Sequence, residues 1–169
     1  YLITTIILDL YKKRSFSLIK FYEKRIRRII PALYIVLITL VFYSFFFQAP
    51  YFAKDLSQSI FFTPIFFQNF LNIYEAANYF SLSYDFKSLG HTWSLSIEEQ
   101  FYVVFPLLMI FFFKHLKKYV FFIFCLGFIA SILICQFLAF KTSDNFNFYF
   151  TLSRVWELAL GGIAAYFLF

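Results

Sequence analysis

Charge is scarce in this chain. Charged residues make up 14% of its 169 positions, while hydrophobic residues make up 62%. A domain of this size has no interior large enough to hide that much apolar surface, so the scarcity excludes a water-soluble globule and requires lipid to cover much of the outside. Cysteine is nearly absent as well. Cys125 and Cys135 fall in one apolar run, about 15 Å apart along a helix. That is too far for a disulfide, and neither has the neighbours of a zinc site or an activated thiolate. Both read as small lipid- or core-facing residues that leave the redox compartment open, and no metal site is expected. A Gly/Ser linker and an internal repeat are also missing, which makes residues 1–169 one membrane domain. No Met opens the chain, and the apolar stretch 1–10 is too short to span a bilayer. A charged n-region and a small-residue cleavage site are both lacking, so a secretory signal is a poor reading of this stretch. The chain ends inside an apolar run at Phe169, and the expectation is a segment cut at both ends from a longer reading frame.

Aromatic residues are abundant, at 27% of the chain with 30 Phe among them. Together with the Ile, Tyr and Lys richness they suit an AT-rich genome better than a cofactor box. Apolar stretches near bilayer length recur, because a helix crosses the hydrocarbon in roughly 20 residues. Ahead of the first full stretch, residues 11–28 carry Lys12, Lys13, Arg14, Lys20, Lys24, Arg25, Arg27 and Arg28 against Glu23. Such a cluster marks the cytoplasmic side. A span over 29–47 follows, with Pro31 expected in its first turn, where a missing N–H is harmless. Residues 56–71 are interrupted by Ser57, Gln58, Ser59, Thr63, Pro64, Gln68 and Asn69. If they crossed, Lys114, Lys117 and Lys118 would lie outside, so the positive-inside rule favours a re-entrant or interfacial segment. Residues 49–93 then form an external region, with Lys54 and Lys87 against Asp55, Glu75 and Asp85. Spans over 94–113, 119–140 and 152–169 complete the chain, joined by a basic inner turn at 114–118 and a polar outer loop at 141–151. Backbone exposed to lipid must satisfy its own hydrogen bonds. The expected fold is therefore an all-α polytopic transmembrane helical bundle. It has about four full spans, a partial N-terminal span and the re-entrant or interfacial segment.

Three polar constellations stand at or in the membrane, where ionisable groups are costly and suggest function. In the first, Phe21 to Tyr34, Arg25 and Arg28 share a helical face and offer two guanidinium forks that suit the phosphates of a nucleotide-like cofactor. The same residues also suit a topology signal touching lipid headgroups. In the second, Gly90 to Tyr102, Ser96 with Glu99 fits a capping box, and Ser94, Glu98 and Tyr102 fall on one stripe. Glu98 is then the inward acid, able to orient a substrate hydroxyl, bind a sugar or pair with an arginine, while Glu99 caps. The bland alternative is a cap with interfacial anchors at Trp93 and Tyr102. His91 lies just outside this helix, where a lone loop His is more often structural or merely exposed than catalytic. In the third, Ser153 to Gly162, Arg154 and Glu157 form an i, i+3 pair at the membrane boundary. The small residues Ala159, Gly161, Gly162, Ala164 and Ala165 let another helix approach closely.

At these same residues the chain resembles the acyltransferase-3 family, membrane O-acyltransferases of bacterial cell-surface polysaccharides such as lipopolysaccharide. The pattern F-Y-x-x-R-x-x-R-I-x-P is matched by Phe21 to Pro31, H-T-W-S-L-x-x-E-x-Q-F-Y by His91 to Tyr102, and S-R-x-W-E-L-x-x-G by Ser153 to Gly161. The resemblance implies transfer of an acyl group, usually acetyl, from cytoplasmic acyl-CoA (acetyl-CoA) to a hydroxyl of an envelope glycan. It assigns Arg25 and Arg28 to the donor, and Trp93 and Glu98 to the second motif, with Glu98 supporting catalysis. It also implies that the catalytic histidine of an Arg-x10-His motif belongs to a first helix upstream of Tyr1. His91 is not its replacement, and the segment alone should be inactive. Expected partners are acyl-CoA, the glycan acceptor and the bilayer, with no nucleic acid. A polysaccharide or lipid-linked-sugar flippase would share the aromatic spans and buried Arg and Glu without binding acyl-CoA. A scaffold in an envelope assembly would do neither.

Overall fold

Helix is what an apolar chain must form where water is excluded, and among the described residues it is all that forms beyond turns. The computed structural model describes residues 1–12, 17–78 and 87–168. Lys13 and Arg14 of the basic cluster, Asp85 of the external region and Phe169 lie outside the described residues. The elements are α1 (Leu2–Lys12), α2 (Leu18–Phe47), α3 (Pro50–Phe62), α4 (Gln68–Ala76), α5 (Trp93–His115), α6 (Val120–Lys141), α7 (Asp144–Tyr149) and α8 (Thr151–Leu168), with 3-10 turns at Gly90–Thr92 and Lys117–Tyr119. The chain divides into two compact units, Leu18–Glu99, and Tyr1–Ser17 with Gln100–Phe169.

In the first unit, α2 runs straight through the basic cluster and the apolar stretch. It begins eleven residues before the span expected from hydropathy, so Pro31 falls well inside the helix rather than in its first turn. The lost N–H leaves the Arg27 carbonyl without its usual helical donor, close to the charged end where water or headgroups can reach it. Leu33 and Leu37 of α2, Leu56 of α3 and Leu89 form the buried apolar cluster, with Leu40, Ile60 and Phe66 packed against it. The interrupted segment 56–71 is a helix, a break and a second helix. Its 13-residue α3 and 9-residue α4 measure about 20 and 13 Å, each short of a bilayer. The break closes as a Schellman motif: the Phe67 N–H donates to the Phe62 carbonyl and the Phe66 N–H to that of Thr63, both at 3.0 Å. Phe66 takes the left-handed position of that motif, with φ of 57°.

In the second unit, α6 and α8 pack along one another. Ser131, buried on α6, donates to the Leu152 carbonyl and accepts from the Trp156 N–H at 3.0 Å, so one hydroxyl from α6 sits in the helical ladder of α8. Packing of α1 on α8 uses the small residues expected to admit a neighbour. A Cβ added at Gly162 would lie 3.4 Å from Thr4 Oγ1, and one at Gly161 would lie 2.7 Å from the Tyr1 backbone nitrogen. The expected outer loop 141–151 holds α7, capped by Ser143. Among the described residues three helical stretches are long and apolar enough to cross a membrane: Leu18–Phe47, Gly90–His115 and Val120–Lys141. The helix expected over 152–169 forms as α8, but Arg154 and Glu157 keep it below that apolarity.

Candidate functional site

Where α5 begins, two motifs that the charge count had placed on opposite sides of the membrane meet. Arg25 grips Glu99 with two hydrogen bonds, Nη2 to Oε1 at 2.8 Å and Nε to Oε2 at 3.4 Å. The Arg25 side chain keeps 20% of its exposure and that of Glu99 keeps 9%. Two near-buried charges coexist only when paired with good geometry, and the guanidinium fork supplies it. The ion pair therefore brings Arg25 of the first motif and Glu99 of the second to one level of this unit.

The inward acid is Glu99, while Glu98 is exposed. Nor does Ser96 form a capping box, because α5 already starts at Trp93 and Ser96 lies within it. Its hydroxyl instead donates to the Thr92 carbonyl at 3.2 Å and accepts from the Gln68 backbone N–H at 3.3 Å. That contact with α4 fixes the rotation of α5 and turns position 99, rather than 98, toward Arg25. Arg28 and Arg27 are exposed, and Arg27 pairs with Glu23. The expected twin fork of Arg25 and Arg28 is thus divided: one guanidinium is engaged by an acid of this chain and the other faces outward. His91 and Ser94 are exposed, Trp93 and Tyr102 half-buried. Ser94 Oγ makes a long contact of 3.4 Å with the His91 carbonyl.

Behind the start of α5 lies a polar core that sequence reading missed. Ser59, Thr63, Gln68, Asn69, Asn72, Thr92 and Ser96 are all buried. Gln68 is its hub: it accepts from Thr63 at 3.2 Å and donates to Ser59 at 3.3 Å and to Asn72 at 3.1 Å. Asn72 in turn donates to the Gly90 carbonyl at 3.1 Å, and the Thr63 and Thr92 hydroxyls are 3.4 Å apart. Next to it Lys87 pairs with Glu75, both side chains 6% exposed. Burial pushes the Glu75 carboxyl up and Lys87 pulls it partly back; burial likewise raises Asp55 against the pull of Lys87. The signal was present: Gln68, Asn72 and Glu75 recur at helical spacing along one face of α4. In the sequence reading Gln68 stands only as an interruption of an apolar run, and Glu75 only as an acid of the external region.

In the other unit, Arg154 and Glu157 pair at 2.7 Å, as their spacing predicted. Arg154 also donates to the Phe148 carbonyl at 3.2 Å and stacks over the Phe148 ring. Cys125 and Cys135 are free and half-buried.

The sequence profile of the acyltransferase-3 family, an acyltransferase domain, matches residues 1–169. The chain is 38% identical over 120 residues to the peptidoglycan O-acetyltransferase OatA of Listeria monocytogenes, an overlap that covers 70% of this chain and 19% of that protein. It is 29% identical over 172 residues to the O-acetyltransferase OatA of Staphylococcus aureus, covering 98% of this chain and 28% of that protein. The chain therefore spans less than a third of the length of these curated relatives. No solved structure matches it.

Proposed function

This chain belongs to the acyltransferase-3 family, and we propose that the protein carrying it O-acetylates a hydroxyl of a cell-envelope glycan, with acetyl-CoA as donor, in the bacterial inner membrane. The observation that carries this reading is the meeting of the arginine motif and the tryptophan–glutamate motif in one ion pair, 74 residues apart in sequence. Signature residues gathered at one depth serve a reaction more economically than residues on opposite faces. The names of the relatives supply the acyl group and the acceptor class: both are O-acetyltransferases, and one is named for peptidoglycan.

The chemistry required is modest. A sugar hydroxyl oxygen adds to the thioester carbon, the C–S bond breaks, and the proton given up by the hydroxyl ends on the departing thiol. Exposed Arg28 offers a fork to the phosphates of the donor. Glu98, exposed in the second turn of α5, is placed to orient the acceptor hydroxyl. His91 takes no catalytic role here. The test is direct: membranes holding the whole protein, given acetyl-CoA labelled in the acetyl group, should place base-labile label in envelope glycan. Unlabelled glycan alongside stable, membrane-inserted protein would overturn the reading and favour a carrier of preformed glycan.

A further inference from the structure

We infer that Lys20, Lys24 and Arg28 form one phosphate-binding stripe on α2, in which the Arg28 fork takes the diphosphate of the donor and Lys24 and Lys20 take the separate 3′-phosphate on its ribose. Resting on the donor reading above, this adds two lysines that decide between acetyl-CoA and the same thioester without its 3′-phosphate. Residues four apart on a helix are offset by only about 40°, so these three fall in a single line that rises about 12 Å. All three are exposed. The ion pairs among the described residues leave them out: Arg25 goes to Glu99, Arg27 to Glu23, Lys87 to Glu75 and Arg154 to Glu157. Like charges at this spacing repel, and Glu23, the one acid of α2, is committed to Arg27. A bound polyanion relieves the repulsion.

Arrangement separates a ligand site from a topology signal. A signal needs cations near the span on any face of the helix, whereas a ligand needs them on one. The order along the stripe also matches the order along the donor. Arg28 stands next to the apolar part of α2, which begins at Ile29, and Lys20 lies farthest from it. In acetyl-CoA the thioester is followed by the pantetheine arm, the diphosphate and then the ribose with its 3′-phosphate. A thioester directed toward the membrane therefore puts the diphosphate nearer Arg28 and the 3′-phosphate farther out, toward the lysines. The residue types fit as well. A planar guanidinium binds a diphosphate through paired N–H bonds, while an ammonium on a flexible stem is a point charge suited to a terminal monophosphate.

To test this, membranes holding the whole protein are given acetyl-labelled acetyl-CoA or acetyl-3′-dephospho-CoA over a range of concentrations, and label in envelope glycan is normalised to membrane abundance. In wild type, loss of the 3′-phosphate should raise KM about tenfold, as loss of a charge-assisted contact does, while kcat changes less than about threefold. The double variant Lys20→Gln/Lys24→Gln should raise KM for acetyl-CoA by a similar factor. It should change KM for the dephospho donor by less than about twofold, because the partner of the lysines is already gone. Lys20→Arg/Lys24→Arg, which keeps both charges, should retain most of the discrimination. Arg28→Lys should raise KM for both donors by the same factor, since both keep the diphosphate. Equal KM values for the two donors in wild type, or a lysine double variant that weakens both donors equally, would overturn the assignment and leave the stripe a general electrostatic attractor. Lower abundance with unchanged KM would overturn it as well, in favour of lipid headgroups or a topology signal. In each of these cases label transferred by wild type keeps the donor reading standing. Wild-type membranes that transfer no label from acetyl-CoA would instead remove the donor reading, and this one with it.

Discussion

A carboxylate with 9% of its side chain exposed needs a counter-charge, and Glu99 finds one in Arg25. The two arginines of the motif should therefore fail in different ways. Arg25→Ala leaves the Glu99 carboxylate buried without its principal cation, which costs about 3 kcal/mol, at the low end because Arg25 retains some contact with solvent. Membrane abundance and the melting temperature in detergent should both fall, and Glu99→Gln added to it should restore much of the loss. Arg28→Ala removes an exposed side chain, so its stability should stay within about 0.5 kcal/mol of wild type. Acetylation should nevertheless be lost, and abundance measured beside glycan acetyl content separates the two outcomes. Glu75 and Asp55 make a further residue-scale case. Both lie outside the three candidate spans, and burial raises both carboxyls above their ordinary values. An acid raised on folding binds its proton more readily folded than unfolded. Its contribution is most favourable below the ordinary carboxylate range and declines as pH rises through the window up to the raised value. Amide protection of α4, corrected for intrinsic exchange, should thus be higher under mild acid than at alkaline pH. Protection that rises with pH would contradict this. Residue identity was largely legible in the sequence, which singled out Arg25, Arg154 and Glu157 at the positions that form ion pairs. It could not choose between Glu98 and Glu99. Adjacent acids point about 100° apart on a helix, and the rotation of α5 is set by a contact from Gln68, a tertiary fact that no local pattern carries.

Element boundaries follow from where the chain can satisfy its backbone, and hydropathy marks only where it is greasy. The spans expected at 94–113, 119–140 and 152–169 agree closely with α5, α6 and α8. By contrast α2 started early, because Lys and Arg are good helix formers and the charged turns extend the apolar helix without a break. The break at 63–67 was visible as Thr63, Pro64 and a run of polar residues, but its geometry was not. Phe66 occupies the left-handed position usually given to glycine, and its ring packs against the Leu33, Leu37, Leu56 and Leu89 cluster. Packing offsets a backbone cost of roughly 1–2 kcal/mol. The glycines of the second unit allow a sharper comparison. A side chain at Gly162 would press on Thr4, Phe124 and Phe105, at 3.4, 3.7 and 3.9 Å from the first added carbon alone. Gly162→Leu should therefore destabilise by about 1–3 kcal/mol through overpacking. Gly127 on α6 has nothing within 4 Å, so Gly127→Leu should leave the melting temperature nearly unchanged. Equal losses at both positions would refute close packing at Gly162.

At the scale of the whole chain, composition already required lipid contact, and the exposed surface carries long runs of Ile, Val, Leu and Phe from α2, α5 and α6. Topology is where composition stops, because residues 50–76 carry almost no charge bias and hydropathy cannot tell a hairpin from a crossing. The geometry of the first unit favours a hairpin. Leu56 of α3 packs on Leu33 and Leu37 of α2, so α3 runs back along α2 after the turn at Gln48–Ala49. With about 20 Å of length it ends short of the far side. The break and α4 then place polar side chains on one another rather than on lipid, the arrangement that lets irregular backbone exist at membrane depth. Asn72 on Gly90 and Glu75 on Lys87 carry α4 back toward the start of α5. Both ends of this hairpin should therefore open to the same side, opposite the basic start of α2. In a background with Cys125 and Cys135 replaced by Ala, single cysteines at exposed Lys54 and Ser88 should react with a membrane-impermeant maleimide added to spheroplasts, whereas Lys20→Cys should react only after permeabilisation. If Ser88→Cys shares the behaviour of Lys20→Cys, then α3 and α4 together cross the bilayer as one discontinuous span, and α5 starts on the cytoplasmic side.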